Sequence, residues 1–92
     1  MIAMEVKLNG KKVAVAGADQ GRILLSDITI RNDPDRPHRF TEASLDVSGG
    51  NGDGVLNIFL ETIKLKIGDK VTIKLIQTDT ADTPVSKYVK DE

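Results

Sequence analysis

Apolar and polar residues alternate along most of the chain, with the period of a strand rather than of a helix. The pattern is clearest at residues 65–76, L-K-I-G-D-K-V-T-I-K-L-I, where Val71, Ile73 and Leu75 interleave with Lys70, Thr72 and Lys74. One side of such a strand is buried and the other wet, so the core is expected to form around this stretch. Gly68 and Asp69 just before it predict a turn, because glycine accepts a positive φ and aspartate can bond its own backbone.

The start of the chain repeats the alternation. Ile2, Met4, Val6 and Leu8 alternate with Ala3, Glu5 and Lys7, and Asn9-Gly10 then leads to Val13 and Val15. Asn-Gly between alternating runs predicts a type I′ hairpin. A two-residue loop pairs Leu8 with Lys11, Val6 with Val13 and Met4 with Val15, with Glu5 opposite Ala14 on the other face. A third strand is expected over residues 22–31. Its parity is mixed: Ile23 and Leu25 face one way, Ile28 and Ile30 the other. Either a bulge near Ser26-Asp27 or a strand covered on both faces would reconcile them. Residues 32–38, N-D-P-D-R-P-H, read as a loop, since prolines interrupt a ladder. A fourth strand over residues 40–47 directs Ala43, Leu45 and Val47 inward, and residues 48–54, S-G-G-N-G-D-G, read as a glycine-dense loop.

Residues 55–67 fit two periods. Leu56, Ile58 and Leu60 suit a strand, while Leu56, Phe59, Leu60, Ile63 and Ile67 suit a helical stripe; β-branched Ile63 and Ile67 favour the strand. A two-residue turn at Gly68-Asp69 would then set Lys66 opposite Val71 and Lys64 opposite Ile73. Parity therefore demands an odd loop, pairing Leu65 with Val71, or two segments that diverge and pair with different neighbours. The expected fold is all-β, a small antiparallel β-sandwich or partly open barrel of about 5–7 short strands. Residues 1–78 form the domain, and residues 79–92 a polar tail or a short edge strand through Val85, Lys87 and Val89.

Composition narrows the function classes. A chain of 92 residues, 39% hydrophobic and 29% charged, has the make-up of one folded domain. Thirteen basic against 14 acidic residues leave a formal charge of −1, without the basic footprint of a nucleic-acid binder. Cysteine is absent, which removes disulfides and thiolate metal sites. No apolar run reaches signal-peptide or membrane-spanning length, so a cytoplasmic location and no membrane partner are expected.

Three constellations could carry chemistry. Asp46, Asn51 and Asp53 offer hard oxygen ligands for calcium around the glycine-rich loop, although the EF-hand spacing fails there and a plain hairpin loop is the simpler reading. Asp33, Asp35 and His38 crowd one loop and could hold a divalent metal, against the simpler reading of turn-forming aspartates beside proline. Arg31, Arg36 and Arg39 bracket the same loop and could clamp an anion, unless the neighbouring aspartates neutralise them. A Ser/His/Asp triad can be written with Ser26 or Ser48 and His38, but one histidine makes such a set available by chance.

Four motifs carry a resemblance: E-V-K-L-N-G-K-K-V-A-V-A-G at 5–17, L-x-V-x-G-G at 45–50, L-K-I-G-D-K-V-T-I-K-L at 65–75 and I-Q-T-D-T-A-D-T-P at 76–84. Together they resemble a group of small bacterial proteins of unknown function with an L-N-G-K hairpin, a G-D-x-V-x-I strand and a D-x-x-D-x-P ending. The resemblance implies an all-β cytoplasmic protein and brings no activity with it. With no convergent acid and base set and few aromatic rings, the expectation is a non-enzymatic protein-binding or adaptor module without a cofactor. It would present loops or a sheet edge to another protein, or to a second copy as a homodimer. The alternative is a loop-based ligand or calcium site, or a weak enzyme.

Overall fold

A computed structural model describes residues 1–17, 23–50 and 54–89, with Pro37, His38, Phe40 and Val89 described by backbone alone. Seven strands follow in order: β1 (Ile2–Leu8), β2 (Lys11–Gly17), β3 (Ile23–Asp33), β4 (Arg36–Gly50), β5 (Val55–Leu65), β6 (Val71–Gln77) and β7 (Ser86–Val89). They form two antiparallel sheets, β2-β1-β6 and β3-β4-β5-β7, and the described residues contain no helix. The all-β expectation holds, as two sheets rather than a closed barrel.

The first hairpin turns where Asn-Gly predicts, with Asn9 at φ 53° and Gly10 at φ 82°. Leu8 faces Lys11, but a bulge follows, so that Lys7 faces Lys12 and Val6 faces Ala14. Val13 is the extra residue. Beyond it the register differs by one from the sequence expectation: Met4 faces Ala16, and Glu5 faces Val15. The bulge brings Ala14 and Ala16 to the inner face, and their small side chains let β2 lie close upon β4 and β5. Val6, Ala14 and Ala16 meet Leu45, Val47 and Phe59 there, forming the core between the sheets. Ala43, Leu45 and Val47 are all buried, as their alternation predicts.

Residues 55–65 are strand, and the parity argument finds its second solution. β5 stays in one sheet beside β4 and β7, while β6 crosses to the other and pairs with β1. The crossing uses Gly68 at φ 98°. However, β6 does not organise the core. It is the outer strand of a three-stranded sheet, and Ile73 and Leu75 are 49% and 77% exposed. Its period was read correctly and its burial was not, because alternation marks an apolar face without saying what covers that face.

Two predicted loops contain strand. β3 runs to Asp33 and β4 begins at Arg36, so only Pro34 and Asp35 lie between them. β5 reaches only to Leu65, opposite Ala43, which leaves residues 36–42 of β4 paired with β3 alone. Pro37 is tolerated because that part of β4 has one open side. Likewise Gly49 and Gly50 belong to β4. A Cβ on Gly49 would lie 2.8 Å from Leu24 Cδ2 and 2.9 Å from Ile23 O, so this glycine serves close packing.

β3 has no bulge near Ser26; its ladder with β4 is continuous from Ile23 to Arg31. Nor is it covered on both faces. It is an edge strand: Leu24 packs against the core, while Ile23, Leu25, Ile28 and Ile30 are exposed.

Candidate functional site

The candidate metal ligands do not converge. Asp46 sits mid-strand on β4, where its Oδ1 accepts a 2.5 Å hydrogen bond from Thr62 Oγ1. Asn51 and Asp53 lie outside the described residues. Asp33 Oδ1 accepts from the Asp35 N–H at 2.9 Å, the Asx turn that closes the β3–β4 hairpin. The side chain of His38 is outside the described set, and the described residues hold no cluster of three acidic, His or Cys groups able to bind a metal. The triad is not assembled along the ladder: Ser26 faces Val47, nine residues from His38 on β4, roughly 30 Å at strand spacing. Arg31 Nη1 pairs with Glu42 Oε1 at 3.3 Å across the ladder, an exposed ion pair of small energetic weight. Arg36 and Arg39 are exposed on the hairpin arm.

Two polar constructions escaped the sequence reading. The first joins the turn at Asn9-Gly10 to the turn before β6. Asn9 Nδ2 donates to Asp69 Oδ1 at 3.0 Å, and Asn9 Oδ1 accepts from the Lys70 N–H at 2.9 Å. The Asn9 N–H donates to Lys70 O at 2.8 Å, and Asp69 Oδ2 accepts from the Lys66 N–H at 2.8 Å. The Lys66 N–H and then the Asn9 amide hold the Asp69 carboxyl below its usual value, with a smaller opposing effect of desolvation and a further lowering by the Lys66 charge. In the second, residues 78–85 carry the chain back from one sheet to the other. Asp82 acts there as a strand: its N–H donates to Val15 O at 2.9 Å, and its Oδ2 accepts from the Val15 N–H at 2.8 Å. This covers part of the free edge of β2. Turn-forming Asn and Asp were visible in sequence; which turn each would join was not.

What remains open is apolar. Ile28, Ile30, Ala43, Leu65, Lys66 and Ile67 line a groove of about 220 Å³ on the inner face, beyond the reach of the three-stranded sheet. Ile30 and Ile67 are 65% and 84% exposed. On the outer face the register sets Ile23, Gly50, Leu56 and Tyr88 in one row, again with exposed side chains at Ile23, Leu56 and Tyr88.

The shape agrees with this. The chain spans 45 × 39 × 17 Å with a radius of gyration of 14.7 Å, against about 12 Å for a compact chain of this length. Its accessible surface of 6673 Å² exceeds the about 5,200 Å² expected of a compact monomer of this mass. Such a slab has aliphatic surface to cover. No protein-family model, no curated protein and no solved structure matches the chain.

Proposed function

We propose that the chain is a non-catalytic protein-binding module whose binding surface is the open edge of β3 with the apolar groove beside it. The observation that carries this reading is the groove itself: aliphatic side chains from β3, β4 and the end of β5 lie together, uncovered, next to unpaired strand backbone. An exposed edge offers main-chain hydrogen bonds to an added strand, and adjoining apolar positions select its side chains. Large exposed apolar patches on soluble domains mark interaction sites.

Affinity isolation compares the wild-type chain with I28D/I30D, after circular dichroism has shown both to be folded. The expected result is a stoichiometric complex with the wild type that the variant does not form. A wild-type chain that stays a 10.0 kDa monomer and retains nothing the variant loses would overturn the reading.

A further inference from the structure

We infer that β3 pairs antiparallel with β3 of a second copy of this chain, across a two-fold axis at Thr29. This rests on the reading of the β3 edge as a binding surface and names its occupant.

The choice of strand comes from comparing the edges. β6 carries Lys74 and β7 carries Lys87, the charged residues that discourage edge pairing. β2 carries Lys11 and Lys12, and Asp82 already occupies part of its edge. β3 differs. Between Ile23 and Ile30 it has no lysine, and it runs without a bulge through nine residues from Ile23 to Arg31.

The choice of register comes from charge. A two-fold axis normal to the sheet keeps inner and outer faces in common, which requires one residue to lie on the axis. At Thr29, Asp27 stands opposite Arg31 of the second copy, and Ile28 opposite its Ile30; symmetry makes each pair twice. An axis at Asp27 would oppose two copies of that carboxylate, one at Ile28 would set Asp27 against Thr29 with no ion pair, and one at Ile30 would set Asp27 against Asp33. Of these four, only Thr29 gives opposite charges on the outer face and matched aliphatics on the inner one.

Two further observations favour it. Asp27 already faces Asp46 across the β3–β4 ladder, a like-charge opposition that a cation on its free side relieves. Arg31 is exposed and would lie between Glu42 of its own chain and Asp27 of the other. On the inner face the four isoleucines meet at the axis and join the two grooves into one trough. The product is an eight-stranded sheet across two copies.

The chain contains no cysteine, so a single introduced thiol reports on one contact. Residues opposite each other in an antiparallel pair lie about 4.5–5.5 Å apart at Cα, within disulfide reach. Under mild oxidation T29C should give a covalent dimer, while D27C should not, its two copies lying about 13 Å apart along the strand. D27R and R31D should each weaken the dimer at least about tenfold, because two attractive pairs become repulsive. Mixing these two variants should restore a dimer containing one of each. Light scattering on the wild type should give twice 10.0 kDa.

A monomeric wild type, a T29C chain that does not cross-link, equal cross-linking by D27C, or a mixture that stays monomeric would each overturn the proposal. If the chain is monomeric but a different protein is held through Ile28 and Ile30, this pairing fails and the protein-binding reading stands. If T29C cross-links and no other protein needs β3, the pairing stands and the adaptor role fails.

Discussion

Two regions that meet at Lys66 treat their unpaired groups in opposite ways. Around Asn9 and Asp69, turn joins turn, and backbone N–H groups of Lys66 and Lys70 find side-chain acceptors. Around Ile28 and Ile30, an edge strand and an aliphatic groove lie open. The motifs L-N-G-K, G-D-x-V and D-x-x-D-x-P all contribute to the closed part, through Asn9, Asp69 and Asp82. Recognisable sequence grammar therefore marks what holds this fold shut, and the uncovered aliphatic surface lies where that grammar is weakest, in the strand of mixed parity.

The sharpest test sets the buried side against the open one. Leu45 is fully buried between the sheets, and L45A should lower unfolding free energy by about 2–5 kcal/mol. I30A, at a position 65% exposed, should change it by no more than about 0.5 kcal/mol in the monomer. Urea unfolding of both decides the matter, and similar losses would mean the groove is structural. G49A should cost about 1–3 kcal/mol by the same measurement, because its methyl group meets Leu24 and backbone at under 3.0 Å.

N9G keeps the positive φ and deletes only the side chain between the turns. It should cost roughly 1 kcal/mol, less than either core change. The smallest effect is a pH dependence. The Asp69 pKa is lowered in the folded chain, so its contribution is present above the ordinary value of 3.8 and disappears as pH falls through the lower folded value. Acid unfolding of wild type and D69N should differ in slope only in that window; a difference confined to neutral pH would contradict the assignment.

Local features of the fold were legible in sequence. Asn9-Gly10 set the first turn, Ala43, Leu45 and Val47 set the inner face of β4, and the lysines at 64 and 66 ruled out a tight hairpin into β6. Three things were not. The bulge at Val13 depends on how β2 meets the opposite sheet, which alternation along one strand does not encode. The exposure of Ile73 and Leu75 depends on where the sheets overlap. Prolines 34 and 37 suggested a loop because proline was weighed against a ladder on both sides, whereas β4 there has only one neighbour. At β3, the parity conflict at Ile23 to Ile30 was the signal the sequence carried. It pointed to an edge strand with exposed aliphatic residues on each face, an outcome that assuming every aliphatic residue must be covered within the chain hid from view.

β1 joins β6 from Ile2 opposite Gln77 to Leu8 opposite Val71, so the opening hairpin is completed by a strand 63 to 75 residues further along. Closing so long a loop is slow, and until β6 emerges the opening hairpin has only one of its two sides satisfied. β5 closes a shorter loop, 28 to 34 residues, with Ser86 to Val89. Until both closures are made the chain is a pair of unfinished ribbons, and the longer closure sets the pace of folding.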